Sequence, residues 1–396
     1  MRQAAFPPVP AGPARRRGAN AAVVALCLAA LLHGAALAAR ATSPAAPAAP
    51  SVLAEAGSAQ PYGGGVSAAA AYSVARALAR LAVLEKGAAL LENDLAARMG
   101  TAEAPTAGAG NAGAPDARMR ALASVVFPVS LNDAPEDASS PPRQNVTARI
   151  LASPRDAAQA IRRALQEPDN LELRLDALRR LDAAAAEGRD LLARNAANLA
   201  ARPGADAAPR PTDPADSVAP PAAGTENPFA GRAETLAKRL DALEAYLEAL
   251  RDFGHTWRVP EEAVPLLERL SALDPQNPLL WMGLGEALLL MERPYEALDA
   301  IRAAARLPEA PPRALYLRGV AHLRLHLPAN AVKDFSEALA RRPDKAAWWR
   351  ARGAARLLAG EHDAMCPDFY QACALGDCEG LAEVRKRGLC LESDGN

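Results

Sequence analysis

Residues 278–307 read "PLLWMGLGEALLLMERPYEALDAIRAAARL", with Trp281, Leu284, Gly285, Ala297, Ile301 and Ala304 as its marked positions. Advancing 34 residues meets Leu315, Gly319, Ala331, Phe335 and Ala338, followed by Pro343. Another 34 meets Trp349, Gly353, Phe369 and Ala372. One unit upstream, "EEAVPLLERLSALDPQN" fits in its second half alone, through Ala263, Leu267 and Pro275. A fixed period of this length marks stacked helical units that bury a continuous core only together. Glycine and alanine let paired helices approach closely, while Trp, Leu and Phe fill the gaps between them. These residues are packing, not chemistry.

The pattern resembles the tetratricopeptide repeat (TPR) family over about residues 244–390, roughly three and a half units. Arg318, Arg352 and Met365 depart from it, standing where the pattern expects apolar or small residues, and the first unit's opening helix is degenerate. The resemblance implies an α-solenoid with a concave groove that binds a peptide or helix. Its inner-helix positions imply that Met282, Glu286, Leu289, Arg313 and Tyr316 face the groove, followed by Val320, Arg324, Arg350 and Leu357. Some members clamp a terminal carboxylate with Lys and Asn; Met282 and Glu286 stand where such a clamp begins, which argues against that use here. Three arginines beside Tyr316 suit an acidic ligand; the alternative is a solvated basic face.

Four of the five cysteines, Cys366, Cys373, Cys378 and Cys390, crowd the end of the chain. Cys366 and Cys373 share one predicted helix and lie roughly 10 Å apart along its axis. A disulfide requires less than about 7 Å between Cα atoms, so that pairing is excluded. A hairpin about Gly376-Asp377 instead favours a nested arrangement, Cys373–Cys378 inside Cys366–Cys390, pinning a final helix over the solenoid's open end. No CxxC pair or common zinc spacing is present, so a metal or redox site is the weaker reading and no cofactor is expected. The tail is also similar to those of bacterial cell-envelope TPR proteins, which implies a shared terminal cap.

Export is expected from the other end. Arg15, Arg16 and Arg17 precede an apolar run, Ala21 to Leu32, which His33-Gly34 interrupts, and Ala36-Leu37-Ala38 suits signal peptidase. Residues 1–39 therefore read as a signal peptide cleaved after about Ala38, or as an uncleaved inner-membrane anchor. Both place the remainder outside the cytoplasm, in a periplasmic or other extracytoplasmic space. Cys27 follows Leu26 where a lipidation motif requires a small residue, and no twin-arginine motif is completed.

The fold class expected is all-α. Residues 40–65 read as a flexible spacer and 66–201 as an Ala-rich helical region. Within that region, helix is expected from Val66 to Met99, again from Ser153-Pro154-Arg155-Asp156, and again beyond "EPDN" (167–170). Residues 101–150 read as loop, with "ALASVVFPVS" as a short extended segment. Residues 202–229 form a Pro-rich linker, and 230–396 the TPR domain, opening with a Leu236, Leu240, Leu243, Leu247, Leu250 stripe.

Net charge is −1, without the basic excess of a nucleic-acid binder. Beyond the signal, His255, His322, His326 and His362 all fall in the repeat region without a nucleophile or carboxylate arrangement, so no enzyme is expected. The leading reading is an exported protein–protein interaction module whose partner is an unidentified protein or peptide. The alternatives are a structural envelope protein self-associating through 66–201, and a thiol or metal protein using the terminal cysteines.

Overall fold

The computed structural model describes residues 51–98, 117–137, 141–152, 159–161, 164, 167–201, 227–254 and 257–391. The signal or anchor, the helix start at Ser153–Asp156, nearly all of the linker and His255 lie outside them. The elements begin with β1 (Ser51–Pro61), α1 (Ala68–Arg98), α2 (Ala117–Val126), β2 (Val129–Asp137) and β3 (Arg143–Ala152). Two long helices follow, α3 (Pro168–Ala200) and α4 (Ala230–Asp252). Then come helices in close succession: α5 (Pro260–Leu273), α6 (Pro278–Leu290), α7 (Pro294–Arg306), α8 (Pro312–Arg324), α9 (Pro328–Arg341), α10 (Ala346–Ala359), α11 (His362–Ala374) and the short α12 (Glu379–Lys386).

The strands correct the expected spacer and loop: the three form a sheet in the order β1-β3-β2. In β1 the alternation is real but built from small and polar residues, with Ala56 and Gln60 buried and Glu55, Gly57 and Ala59 exposed. No hydrophobic period is visible there, so composition alone reads as spacer. In β3 the alternating Val146, Ala148 and Ile150 are all buried. "ALASVV" is not extended but closes α2, and Pro128 forbids the helix to continue before β2 begins. "EPDN" does not merely interrupt a helix: Glu167 is the N-cap of α3 and Pro168 its first residue.

The chain divides into two compact units. One draws on the described residues within Met1–Glu55, Val83–Ser130 and Arg149–Gln166. In it, a Cβ on Gly87 would lie 3.0 Å from Phe127 and 3.1 Å from Ile150, so glycine permits the close approach. The other unit comprises Ala56–Ala82, Leu131–Ala148 and Glu167–Asn396, and it holds the repeats. There Arg76 on α1 pairs with Asp241 at 2.7 Å and with Glu244, and Arg80 pairs with Glu248 at 2.8 Å, joining α1 to α4. Burial pushes the Glu244 carboxyl up, against the opposing pull of Arg80 and Arg76. The α4 leucine stripe, Leu236 to Leu250, is buried throughout.

From α5 onward, consecutive helices pack as pairs with a 34-residue recurrence, and three features repeat in phase. First, a glycine on the inner helix meets a large apolar residue 16 positions later. A Cβ on Gly319 would sit 2.6 Å from Phe335, one on Gly353 would sit 3.1 Å from Phe369, and Gly285 crowds Ile301 in the same way.

Second, the turn between paired helices enters the left-handed region at Glu292 (φ 57), His326 (φ 58) and Gly360 (φ 79). The next residue closes a six-residue helix-ending motif each time: Arg293 N–H donates to Leu288 O, Leu327 to His322 O and Glu361 to Arg356 O, at 3.0, 2.8 and 2.9 Å. Third, Trp281 and Trp349 each donate their indole N–H to the carbonyl six residues back, Pro275 at 2.9 Å and Pro343 at 2.8 Å.

The arginines that depart from the repeat pattern have a structural role. Arg318 reaches the buried Asp334 carboxylate at 2.6 Å, and Arg352 reaches the buried Asp368 at 2.7 Å. Four residues after each arginine, His322 and Arg356 reach the second oxygen of the same carboxylate, at 2.7 and 2.8 Å. Met365 fills the cap instead, buried with Phe369, Leu381 and Val384.

Candidate interaction groove

Helices α8, α10 and α12, with Phe369 of α11, line the candidate groove. On α10, Ala347, Ala351 and Ala354 share one face, because residues three and four apart lie above one another on a helix. Their short side chains leave a cavity of about 820 Å³, walled by Tyr316 and Leu357 on one side and by Gly380 and Val384 of α12 on the other. Gly380 is needed here: a Cβ would lie 2.8 Å from Phe369 and 2.9 Å from Arg350. Arg350 stands at the rim, bonded to Asp377 at 3.0 Å and to Glu379. Arg387 and Glu383 pair there at 2.9 Å, and Arg387 holds the exposed Glu383 carboxyl below its ordinary range.

Tyr316 is fixed by stacking on Trp348, with ring centroids 5.3 Å apart, and by a tilted contact with Phe335 at 5.6 Å. Burial raises the pKa of its phenol.

Of the residues expected to face the groove, the structure brings Tyr316, Arg350 and Leu357 together around the cavity. Others are placed differently. Met282 and Leu289 are buried, and Val320 packs against the Ala331, Phe335 and Ala355 cluster, because these apolar side chains serve the core rather than an open face. Arg324 is exposed in the last turn of α8.

Glu286 and Arg313 bond to each other at 2.6 Å, and Arg313 also reaches Asp169 on α3 at 3.1 Å. The acidic ligand expected for the arginines is thus met in part by the chain itself. Sequence reading missed the alanine floor and Asp169. The alanines at four- and three-residue spacing carried a legible signal; Asp169 did not, since "EPDN" reads first as a turn.

At the end of the solenoid, α12 lays Leu381 and Val384 over Met365 and Phe369. The sulfurs of Cys366 and Cys390 are joined, with Cα atoms 5.4 Å apart, and so are those of Cys373 and Cys378, at 4.0 Å. The Tyr370 hydroxyl donates to the Cys390 carbonyl at 2.9 Å, securing the same segment. Among the described residues, no group of three or more His, Cys, Asp and Glu is placed to hold a metal ion. Nor is any described helix long and apolar enough to cross a membrane.

Paired helices in a 34-residue register and a small-residue close approach in each pair define an α-solenoid of tetratricopeptide type. Comparison with protein-family models and with curated proteins gives no match. Among solved structures, the chain is similar to one described as "Crystal structure of MamA protein", at 20% identity over 41% of this chain and 87% of that one, with a TM-score of 0.30. A second, "MamA MSR-1 C2", is 23% identical over 37% of this chain and 88% of that one, with a TM-score of 0.29. A third, "Crystal structure of APC/C hetero-tetramer Cut9-Hcn1", is 16% identical over 36% of this chain and 25% of that one, again at 0.29. The fold assignment rests on the chain's own repeat geometry.

Proposed function

We propose that the protein is a non-catalytic interaction module of scaffold or assembly type, whose concave groove captures a peptide or helix. The cavity over Ala347, Ala351 and Ala354 carries this reading. A floor of alanines is too shallow to fill the space above it, and a protein keeps such an open apolar concavity for a guest. The rim charges at Arg350, Glu379, Glu383 and Arg387 give that guest direction and register.

Export belongs to the same proposal. The Arg15–Ala38 pattern supports it, and so do the two cysteine pairs, since disulfides persist outside the reducing cytoplasm. With all four sulfurs consumed in those pairs, the thiol or metal reading has no free thiolate at this end of the chain to work with.

Filling the cavity tests the reading. In the full chain, Ala351→Trp and Ala354→Trp are expected to abolish partner capture from native cells while leaving the far-ultraviolet circular dichroism unchanged. Undiminished capture by both variants would sink it.

A further inference from the structure

The first turn of α3 lies on a cluster of cations. Asp169 accepts from Arg313 at 3.1 Å and from Lys345 at 3.2 Å. Glu172, one turn on, accepts from the same Lys345 at 2.8 Å and from Arg342 at 3.2 Å. Two carboxylates three residues apart on one helix face thus meet three cations contributed by α8 and by the loop before α10. Facing groups on the solenoid side are Glu286, which shares Arg313, and Asp344, which shares Arg342. Burial pushes the Asp169 carboxyl up, yet Arg313 and Lys345 outweigh it and hold the group below its ordinary range.

The turn is held from two sides: by the seat, and within α3 by Asn170, whose Nδ2 donates to Glu167 at 3.1 Å and whose Oδ1 accepts from Arg174 at 3.2 Å. The N-cap Glu167 makes no side-chain capping bond. Nearby, Arg174 is buried, and burial together with Arg251 lowers its pKa to about 10. The start of α3 therefore lacks a side-chain N-cap and is fastened from outside by ion pairs whose carboxylates reach solvent, Glu172 being exposed, while Arg313 and Lys345 stay largely buried beneath them.

We infer that Arg313, Arg342 and Lys345 form a recognition seat for an acidic helix start, and that the first turn of α3 occupies it until a partner presenting the same pair of carboxylates displaces it. The inference rests on the groove reading and adds to it: Arg313 and Tyr316 lie one helical turn apart on α8, so the seat adjoins the alanine-floored cavity. A partner helix enters by its acidic N-terminus and lays its following turns along α10.

The probe is a labelled peptide of residues 166–182, "QEPDNLELRLDALRRLD", titrated into the full chain. The variant Asp169→Asn/Glu172→Gln, with its seat vacated, is expected to bind the peptide at least tenfold more tightly than the wild type. Adding Arg342→Glu/Lys345→Glu to that variant is expected to abolish binding, as is replacing the same two carboxylates in the peptide. Equal binding by wild type and variant, or binding that survives loss of the cations, would overturn the inference.

Should Asp169→Asn/Glu172→Gln melt at a lower temperature, the single change Glu172→Gln, which leaves Asp169 on Arg313 and Lys345, is expected to bind the peptide more tightly than the wild type and less tightly than the double variant; a single variant no tighter than the wild type would overturn the inference. Wild-type dimers that disappear in Arg342→Glu/Lys345→Glu would assign the seat to a second copy and overturn the inference as stated. The peptide comes from the chain itself, so this result is independent of whether the alanine-floored cavity captures a partner.

Discussion

Arg318 donates from both Nε and Nη2 to a single carboxylate oxygen of Asp334, at 2.9 and 2.6 Å, and Arg352 reaches Asp368 across the same 16-residue interval. The 34-residue register thus carries a buried ion pair as well as a hydrophobic pattern, but only in its later units. The unit that begins at Pro278 has Leu284, Leu288 and Ala300 at the positions of Arg318, His322 and Asp334. Removing one partner of a buried pair strands the other's charge, which costs about 3 kcal/mol or more. Asp334→Ala is expected to lose that much in urea unfolding. The triple change Arg318→Leu/His322→Leu/Asp334→Ala, copying the unit that begins at Pro278, should recover most of it. A triple variant no more stable than Asp334→Ala would show that the pair holds the interface by more than charge balance.

Close approach predicts a second cost. Gly319→Ala introduces a Cβ 2.6 Å from Phe335, on a ring fixed against Tyr316, and should destabilise the protein by about 1–3 kcal/mol. Phe335→Leu in the same chain should relieve part of the strain, which a double-mutant cycle by thermal unfolding would read as a favourable coupling.

The left-handed turns predict a gain. Glu292 and His326 hold the conformation that Gly360 adopts freely in the next unit. A side chain there costs about 1–2 kcal/mol, so His326→Gly should raise stability by about 1 kcal/mol after glycine's greater unfolded-state freedom is counted. Gly360→Ala should lower it. Both are read from denaturant midpoints, and a loss on His326→Gly would contradict the account.

For pH, the sign follows from Asp169. Its folded pKa is depressed below the ordinary 3.8, so its contribution is complete above that value and disappears as pH falls through the folded value. Asp344, held at about 2 chiefly by its hydrogen bond from Arg342, titrates in the same sense at the lower end of that window. The stability difference between wild type and Asp169→Asn should therefore be present at neutral pH and close on acidification below about 4. A gap that widened with acid would refute the assignment.

Reduction should act unequally on the two cysteine pairs. Cys366–Cys390 spans 24 residues and ties the end of the chain to α11, whereas Cys373–Cys378 spans 5. Chain-entropy reasoning gives about 3 kcal/mol for the longer loop and about 2 for the shorter. Cys366→Ser/Cys390→Ser should speed amide exchange through Leu381 and Val384 of α12, while Cys373→Ser/Cys378→Ser leaves those amides protected.

The repeats were legible because Gly319, Phe335, Gly353 and Phe369 recur at one period, and packing leaves no latitude at such positions. The sheet was not: β1 alternates in burial through Ala56 and Gln60, residues too small or too polar to register as a hydrophobic period. The groove was half legible. Tyr316, Arg350 and Leu357, chosen by inner-helix register, line one cavity, but register cannot say that Met282 and Leu289 are buried, nor that a helix more than a hundred residues upstream supplies Asp169 to Arg313. That last contact is long-range charge complementarity, which leaves no local trace in sequence.

The central claim is that the concave face over α10 receives the partner. A photocrosslinking residue placed at Leu357 in the full chain, in its native cells, tests it most directly, with one at the exposed Lys333, outside the cavity, as the comparison. The account predicts a discrete crosslinked partner from Leu357 that is lost in Ala351→Trp and absent from Lys333. Crosslinks of equal yield from both positions, or from Lys333 alone, would contradict it.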